Sequence, residues 1–272
     1  MILTHHPGRD TLRRAGTLTS VQQSASDVSP RDKFLTVYGR KPVLAALADP
    51  SLDVDKVVLA DNARGQTVDE IRASAASAGV PVQRASPHRV KVLAGNGKQD
   101  QGTLADVIAP RMRPLQTALH STEPPQRVVL LDGITTSANV GMILRTATAA
   151  GIDGIVVPRR GVATLDPLVV KSSAGVAFHA PVLRSADPGE AAQLLRAAGY
   201  PLFGLAGSTA NSLFETDLPE RGGFVLGAET DGISAAVHRH VTDWVSIPMR
   251  GPVESLNVAA AASILCYELL RR

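Results

Sequence analysis

Four consecutive apolar residues, Val128-Val129-Leu130-Leu131, recur in kind at Gly154-Ile155-Val156-Val157, Leu202 to Leu205, Phe224 to Leu226 and Trp244 to Ile247. A strand with one wet face alternates apolar and polar residues, so runs that are apolar throughout bury both faces. Amphipathic stretches separate them, at Asn139 to Ala150, Gly189 to Ala198, Ile233 to His240 and Asn257 to Arg271. Gly151 supplies a stop for the first of these helices. Buried strands joined through helices imply an α/β fold, a parallel sheet with helices on both faces, and general connection rules predict an open, doubly wound arrangement.

The front half has its own alternation. From Tyr38 the pattern predicts a helix from Pro42 to Ala48, a strand Lys56-Val57-Val58-Leu59-Ala60, a helix from Val68 to Ala78, a strand from Val80 to Gln83 and a closing strand Thr103-Leu104-Ala105-Asp106-Val107-Ile108. This is a small α/β domain over 35–110. Pro110, Pro114, Ser121, Pro124 and Pro125 then mark a linker over 111–126, and the second domain runs from 127 to 272. Residues 1–34 lack hydrophobic periodicity and read as a flexible arm; Arg9, Arg13, Arg14 and Arg31 in it suit either a phosphate backbone or plain solvent.

With 272 residues, 44% of them hydrophobic, the chain can supply a core to each domain. The formal charge of +3 is small beside ordinary variation and identifies no partner. No apolar h-region follows the start, and no run reaches the ~20 apolar residues of a membrane span. A single cysteine, Cys266, excludes an intramolecular disulfide and fits a reducing, cytoplasmic setting; its place in an apolar helix marks it as a core residue rather than a nucleophile. His88, His120, His179, His238 and His240 form no metal-ligand pattern, so no metal is expected.

Chemistry concentrates in three polar bends that follow strands. The first is Asp132-Gly133-Ile134-Thr135-Thr136-Ser137-Ala138-Asn139-Val140-Gly141-Met142-Ile143-Leu144-Arg145, where Asn139 occupies the expected helix N-cap and Arg145 projects from the second turn. It has neither the Lys of a P-loop nor the G-x-G-x-x-G of a dinucleotide site. In the second, Gly227-Ala228-Glu229-Thr230-Asp231-Gly232, glycines bracket two carboxylates and admit a ligand close to the backbone, or simply make a βα turn capped by Asp231. In the third, Ile247-Pro248-Met249-Arg250-Gly251-Pro252-Val253-Glu254-Ser255-Leu256-Asn257-Val258, proline and glycine forbid regular structure before Ser255 and Asn257 offer caps to the last helix. Loops that leave the same edge of a parallel sheet can converge on one ligand.

Taken in order, the bends resemble three motifs of the SpoU (TrmH) family of RNA ribose 2′-O-methyltransferases, of the SPOUT class. Asn139, Gly141 and Arg145 are similar to its N-x-G-x-x-x-R; Gly227, Glu229, Gly232 and Ser234 to its G-x-E-x-x-G-(I/L)-S; and Ile247 through Val258 to its I-P-M-x-G-x-x-E-S-L-N-V. The likeness spans roughly Val128 to Arg272. Val37-Tyr38-Gly39-Arg40-Lys41-Pro42 and Gln101-Gly102 further resemble the ribosomal-protein-like substrate-binding domain of rRNA-modifying members, although Asp100 stands where histidine is usual. Ala138, Ala228 and Thr230 are further departures, at neighbours that shape the backbone.

The resemblance implies S-adenosyl-L-methionine as cofactor, RNA as substrate with ribosomal RNA ahead of transfer RNA, a trefoil-knotted catalytic domain and a homodimer. It implies Asn139, Arg145, Glu229, Ser255 and Asn257 as catalytic residues, with backbone around Leu205, Ala206, Gly207, Gly227, Ile247, Ser255 and Leu256 cradling the cofactor. Glu229 is expected to orient Asn139 or nearby backbone, while Asn139, Ser255 and Asn257 orient Arg145. A noncatalytic RNA-binding assembly factor that kept the pocket is the contrasting reading. Arg84, His88, Arg89, Lys91 and Lys98 suit RNA phosphates or a solvated surface equally well.

Overall fold

The computed structural model describes residues 33–94, 100–207, 209–250, 252 and 254–272. Most of the expected arm, with its four arginines, and Lys98, Gly251 and Val253 lie outside the described residues.

The first part of the chain folds as β1 (Phe34–Tyr38), α1 (Arg40–Ala48), β2 (Val54–Ala60), α2 (Gln66–Ser77), β3 (Val82–Ala85), α3 (Pro87–Ala94) and β4 (Thr103–Ile108). Its sheet has the order β1-β4-β2-β3, with β4 antiparallel to both β1 and β2 while β3 runs parallel to β2. β3 begins two residues later than its sequence predicts. The end of α2 uses the intervening chain, Gly79 adopting φ +68° and Val80 donating its N–H to Ala75 O at 2.8 Å. Two elements escape the sequence reading: β1, whose first residue Phe34 falls within the stretch expected as arm, and α3, whose start carries an N-terminal signal in Ser86-Pro87, with Ser86 Oγ accepting the Arg89 N–H at 3.2 Å.

The second part comprises β5 (Arg113–Pro114), α4 (Leu115–Leu119), β6 (Arg127–Leu131), α5 (Ser137–Ala149), β7 (Gly154–Val156), α6 (Pro167–Ser172), β8 (Val182–Arg184), α7 (Pro188–Ala197), β9 (Leu202–Ala206), β10 (Gly222–Leu226), α8 (Ala235–His238), β11 (Asp243–Ser246) and α9 (Val258–Arg271). Its seven strands have the order β11-β9-β10-β6-β7-β8-β5, and every adjacent pair is parallel. The stretch over 111–126 is more than a connection: β5 pairs with β8, and Leu115, Ala118 and Leu119 of α4 are buried. Its prolines obscured a helix that one of them, Pro114, in fact introduces as N-cap.

Alternate residues of the strands feed two cores. Val129, Leu131, Ile155, Phe224, Leu226 and Val245 pack with α5 and α9, through Ile143, Leu144, Ala262 and Leu265. Val128, Leu130, Val156, Leu202 and Val225 pack on the other face with α4, α7 and α8, through Leu115, Leu195 and Val237. The apolar runs therefore bury both sides, as their composition requires. Cys266 sits wholly buried in α9, and burial pushes its thiol up to about 12.

This order decides where the chemistry can lie. The chain steps outward from β6 through β7 to β8, then crosses to the far side for β9, so β6, β10, β9 and β11 end side by side. The bends after β6, β10 and β11 leave the same edge. Among the described residues no helix is long and apolar enough to cross a membrane, and no group of three or more His, Cys, Asp or Glu is placed to hold a metal.

Candidate active site

Glu229 is the point at which the three bends meet. Its Oε1 accepts hydrogen bonds from Asn139 Nδ2 at 3.2 Å, Asn257 Nδ2 at 2.8 Å and the backbone N–H of Val258 at 3.1 Å. Asn257 Nδ2 also donates to Asn139 Oδ1 at 3.1 Å, while its own Oδ1 accepts from Ala259 N at 2.9 Å and Ala260 N at 3.4 Å. Asn257 is thus the N-cap of α9, and the Glu229 charge lies at the amino end of that helix, where the peptide dipoles favour it. A second tie joins the first two bends: Asp132, buried at the end of β6, accepts the Ser234 N–H at 2.6 Å.

Several expectations need correction. Asn139 is not an N-cap: α5 starts at Ser137 with Thr136 in the cap position, so Asn139 falls inside the first turn and its amide turns inward to Glu229, leaving it 8% exposed. Thr136 and Ser137 are equally good starting residues, and spacing alone does not choose among them. Nor do Asn139, Ser255 and Asn257 hydrogen-bond Arg145; the two asparagines spend their groups on Glu229, each other and α9. Likewise α8 begins after Ser234 rather than at Ile233, because Asp132 and the preceding loop hold the chain up to that residue. Asp231 caps nothing; Ser234 occupies the cap position.

Beside the three-bend cluster lies a cavity of about 420 Å³, within the ~300–1,000 Å³ of small-molecule sites. Leu205, Ala206, Gly207, Gly227, Ile247, Ser255 and Leu256 all line it, together with Glu229. Leu226, Asp231, Ile233, Trp244 and Met249, which sequence reasoning did not assign to the site, are also among its lining residues. Met249 belongs to a motif already singled out, whereas Trp244 becomes visible only through strand register. Gly227 is needed for the loop itself: a Cβ there would stand 2.4 Å from Gly232 C, since Ala228 and Gly232 exchange backbone hydrogen bonds of 2.9 and 3.0 Å across the turn.

A second hollow, also about 420 Å³, opens where α5, α6 and the start of α9 meet and is lined by Met142, Arg145, Thr146, Ser172, Asn257, Ala259, Ala260 and Ser263. Asn257 borders it while its neighbours Leu256 and Val258 border the first cavity, so one turn of chain separates the two. Arg145 is exposed there and has no hydrogen bond or ion pair among the described residues. An always-charged, five-donor group is thereby left open to an anionic ligand.

Residues 126–267 match the model of the SpoU rRNA Methylase family, and residues 36–113 match that of RNA 2′-O ribose methyltransferase substrate binding. The chain belongs to the SpoU rRNA methylase family. It is 30% identical over 239 residues to the 23S rRNA (guanosine-2′-O-)-methyltransferase RlmB of Xanthomonas campestris, covering 87% of this chain and 96% of that one. The RlmB of Pseudomonas putida is also 30% identical, with the same coverage. Among solved structures, the SpoU methyltransferase AviRb from Streptomyces viridochromogenes, in complex with the cofactor AdoMet, is 26% identical and superposes with a TM-score of 0.58 over 87% of this chain and 89% of that one. Membership of the SpoU family makes the chain an RNA 2′-O-methyltransferase by class.

Proposed function

We propose that this SpoU-family chain transfers a methyl group from S-adenosyl-L-methionine to the 2′-hydroxyl of a ribose in large-subunit ribosomal RNA. The observation that carries the reading is the joining of Asn139, Glu229 and Asn257 by hydrogen bonds of 2.8 to 3.2 Å between two hollows, one beside the three bends and one bearing Arg145. The substrate named for the RlmB relatives, and a front region that matches a substrate-binding family, favour ribosomal RNA over transfer RNA.

The cavity beside the three bends suits the cofactor. Leu205, Leu226, Ile233, Ile247 and Leu256 give it apolar walls, Gly207 and Gly227 line it with backbone, and Glu229 and Asp231 offer negative charge to a sulfonium and an ammonium. When bound, S-adenosyl-L-methionine supplies an electrophilic methyl on a good leaving group. What remains for the protein is placement, and holding a hydroxyl and a methyl at ~3 to 3.5 Å accounts for ~7 to 11 kcal/mol of barrier without metal or covalent intermediate.

In this reading Arg145 grips the phosphate beside the target ribose and stabilises the charge that develops on the 2′-oxygen as it takes the methyl and its proton passes to solvent water. A guanidinium holds its proton too firmly to be a good base, but it is a good fork for phosphate. Glu229 acts through others, holding Asn139, Asn257 and the start of α9 so that both hollows keep one geometry. Ser255 lies at the cofactor side of that turn. The reading further includes a trefoil knot in the C-terminal region, a homodimer with the site near its interface, RNA binding by the front domain, and action in the cytoplasm.

Calorimetric titration with S-adenosyl-L-methionine, followed by transfer of labelled methyl to ribosomal and transfer RNA, tests the proposal. Binding followed by transfer to ribosomal RNA supports it. Transfer to transfer RNA alone would relocate the substrate, and binding without transfer to any RNA would favour an assembly factor.

A further inference from the structure

The cavity beside the three bends has one aromatic wall. Among its described lining residues only Trp244 carries an aromatic ring, and it is the single tryptophan of the chain. In the parallel pairing of β11 with β9, Trp244 stands opposite Gly204. A Cβ on Gly204 would lie 2.7 Å from both Cε3 and Cζ3 of the indole and 3.2 Å from Ile233 Cδ1. The six-membered ring therefore rests against a bare Cα, where any other side chain would push it off. From α8 the His238 ring meets it with centroids 4.8 Å apart and planes inclined by 43°. The backbone is fixed as well: Trp244 N donates to Asp243 Oδ1 at 2.7 Å, and Asn211 Nδ2 donates to Trp244 O at 3.3 Å.

A half-buried indole held from two sides, the one aromatic ring among the described residues that line the cavity, offers it a preformed flat surface. Flat heteroaromatic ligands gain from such a face by stacking or edge contact, and aliphatic amino acids do not. We propose that Trp244, seated on Gly204 and backed by His238, is the face against which the adenine of the cofactor lies, and so sets affinity for the adenine end of the ligand. The inference rests on the S-adenosyl-L-methionine reading. It makes Trp244 a binding residue, and Gly204 and His238 positioning residues that act through it.

The test uses the full chain and three unreactive probes: S-adenosylhomocysteine, adenosine and methionine. Each is titrated while tryptophan emission and binding heat are followed. S-adenosylhomocysteine and adenosine should shift the emission of the lone tryptophan, saturating with the calorimetric binding curve, and methionine should not. Trp244→Leu should weaken S-adenosylhomocysteine about tenfold, Trp244→Phe by no more than about threefold because it keeps a ring, and Gly204→Ala by about as much as the Leu variant because it displaces the indole. Circular dichroism and melting establish that each variant folds. Should the Leu variant fail to fold, Gly204→Ala and the emission response to adenosine still decide. Wild-type affinity in folded Trp244→Leu or Gly204→Ala, or adenosine binding that leaves emission unchanged, would overturn the inference. Absence of binding heat from S-adenosylhomocysteine in the wild type contradicts the cofactor reading itself, a different result from tight binding that is indifferent to Trp244.

Discussion

Glu229 accepts the Asn257 side-chain N–H at 2.8 Å on the same oxygen that takes the Asn139 amide at 3.2 Å, 90 residues away along the chain. One carboxylate thereby sets the spacing between a helix that carries Arg145 and a helix whose first turn borders the cavity. Replacing Glu229 with Ala leaves three N–H groups without this acceptor. Because Glu229 is exposed, water replaces much of what is lost, so stability should drop by only about 1 kcal/mol. Methyl transfer should fall about 100-fold, since positioning is the main contribution asked of the site. Melting and single-turnover kinetics together check this; a destabilised variant with wild-type turnover would show the cluster to be structural only.

Arg145→Lys keeps the charge and loses the planar fork. We expect kcat to fall by about 10- to 100-fold while cofactor affinity stays within about twofold, because the hollow of Arg145 is separate from the cofactor cavity. Steady-state rates at saturating RNA and calorimetry measure the two halves. Near-wild-type turnover would remove Arg145 from the role assigned to it.

Gly141, the middle residue of the first motif, serves the crossing of α5 and α6. A Cβ there would stand 2.0 Å from Ser172 Oγ, which can swing away, but also 2.6 Å from Val169 O and 2.9 Å from Ser173 N, which are backbone and cannot. Gly141→Ala should cost about 1–3 kcal/mol in urea denaturation, from overpacking. A neutral substitution would mean that α6 shifts freely against α5.

Glu268 near the end of α9 tests the electrostatics. Its carboxylate, only 6% exposed, meets Arg271 Nη2 at 2.6 Å and Arg272 Nε at 2.8 Å, and Arg272 reaches on to the carbonyls of Leu213, Phe214 and Thr216. The Arg271 guanidinium, with Arg272 adding to it, holds the carboxyl below its usual range. A carboxyl lowered on folding stabilises the protein above its unfolded pKa of about 4.3, and that contribution disappears as pH falls through the folded value. Glu268→Gln should therefore be about 1–2 kcal/mol less stable than wild type at pH 7, and the gap should narrow as pH falls below about 4.3. Urea denaturation at pH 7, 5 and 3.5 checks it, and a gap independent of pH would contradict the assignment.

Much of the site was legible because it is local. Asn139, Glu229 and Ser255 each lie in a polar bend that follows an apolar strand, and the resemblance of those bends to known motifs picked out Leu205, Gly227 and Ile247 as well. Short elements were not legible: β8 has three residues and α6 six, too few for a period to register. α4 hid behind the prolines around it. The placement of Asn139 inside a turn, and the meeting of Trp244 with Gly204, depend on long-range pairing that composition does not encode. The convergence itself follows from β6, β10, β9 and β11 being neighbours, a strand order that no single stretch of residues contains.

The most direct test is a map of ribose 2′-O-methylation across ribosomal RNA, made from cells with and without the protein and from cells carrying Arg145→Ala. The account predicts a methylated ribose in large-subunit RNA that is present with the wild type and missing in the other two. Identical maps from all three, in the presence of a protein that binds S-adenosyl-L-methionine, would contradict it.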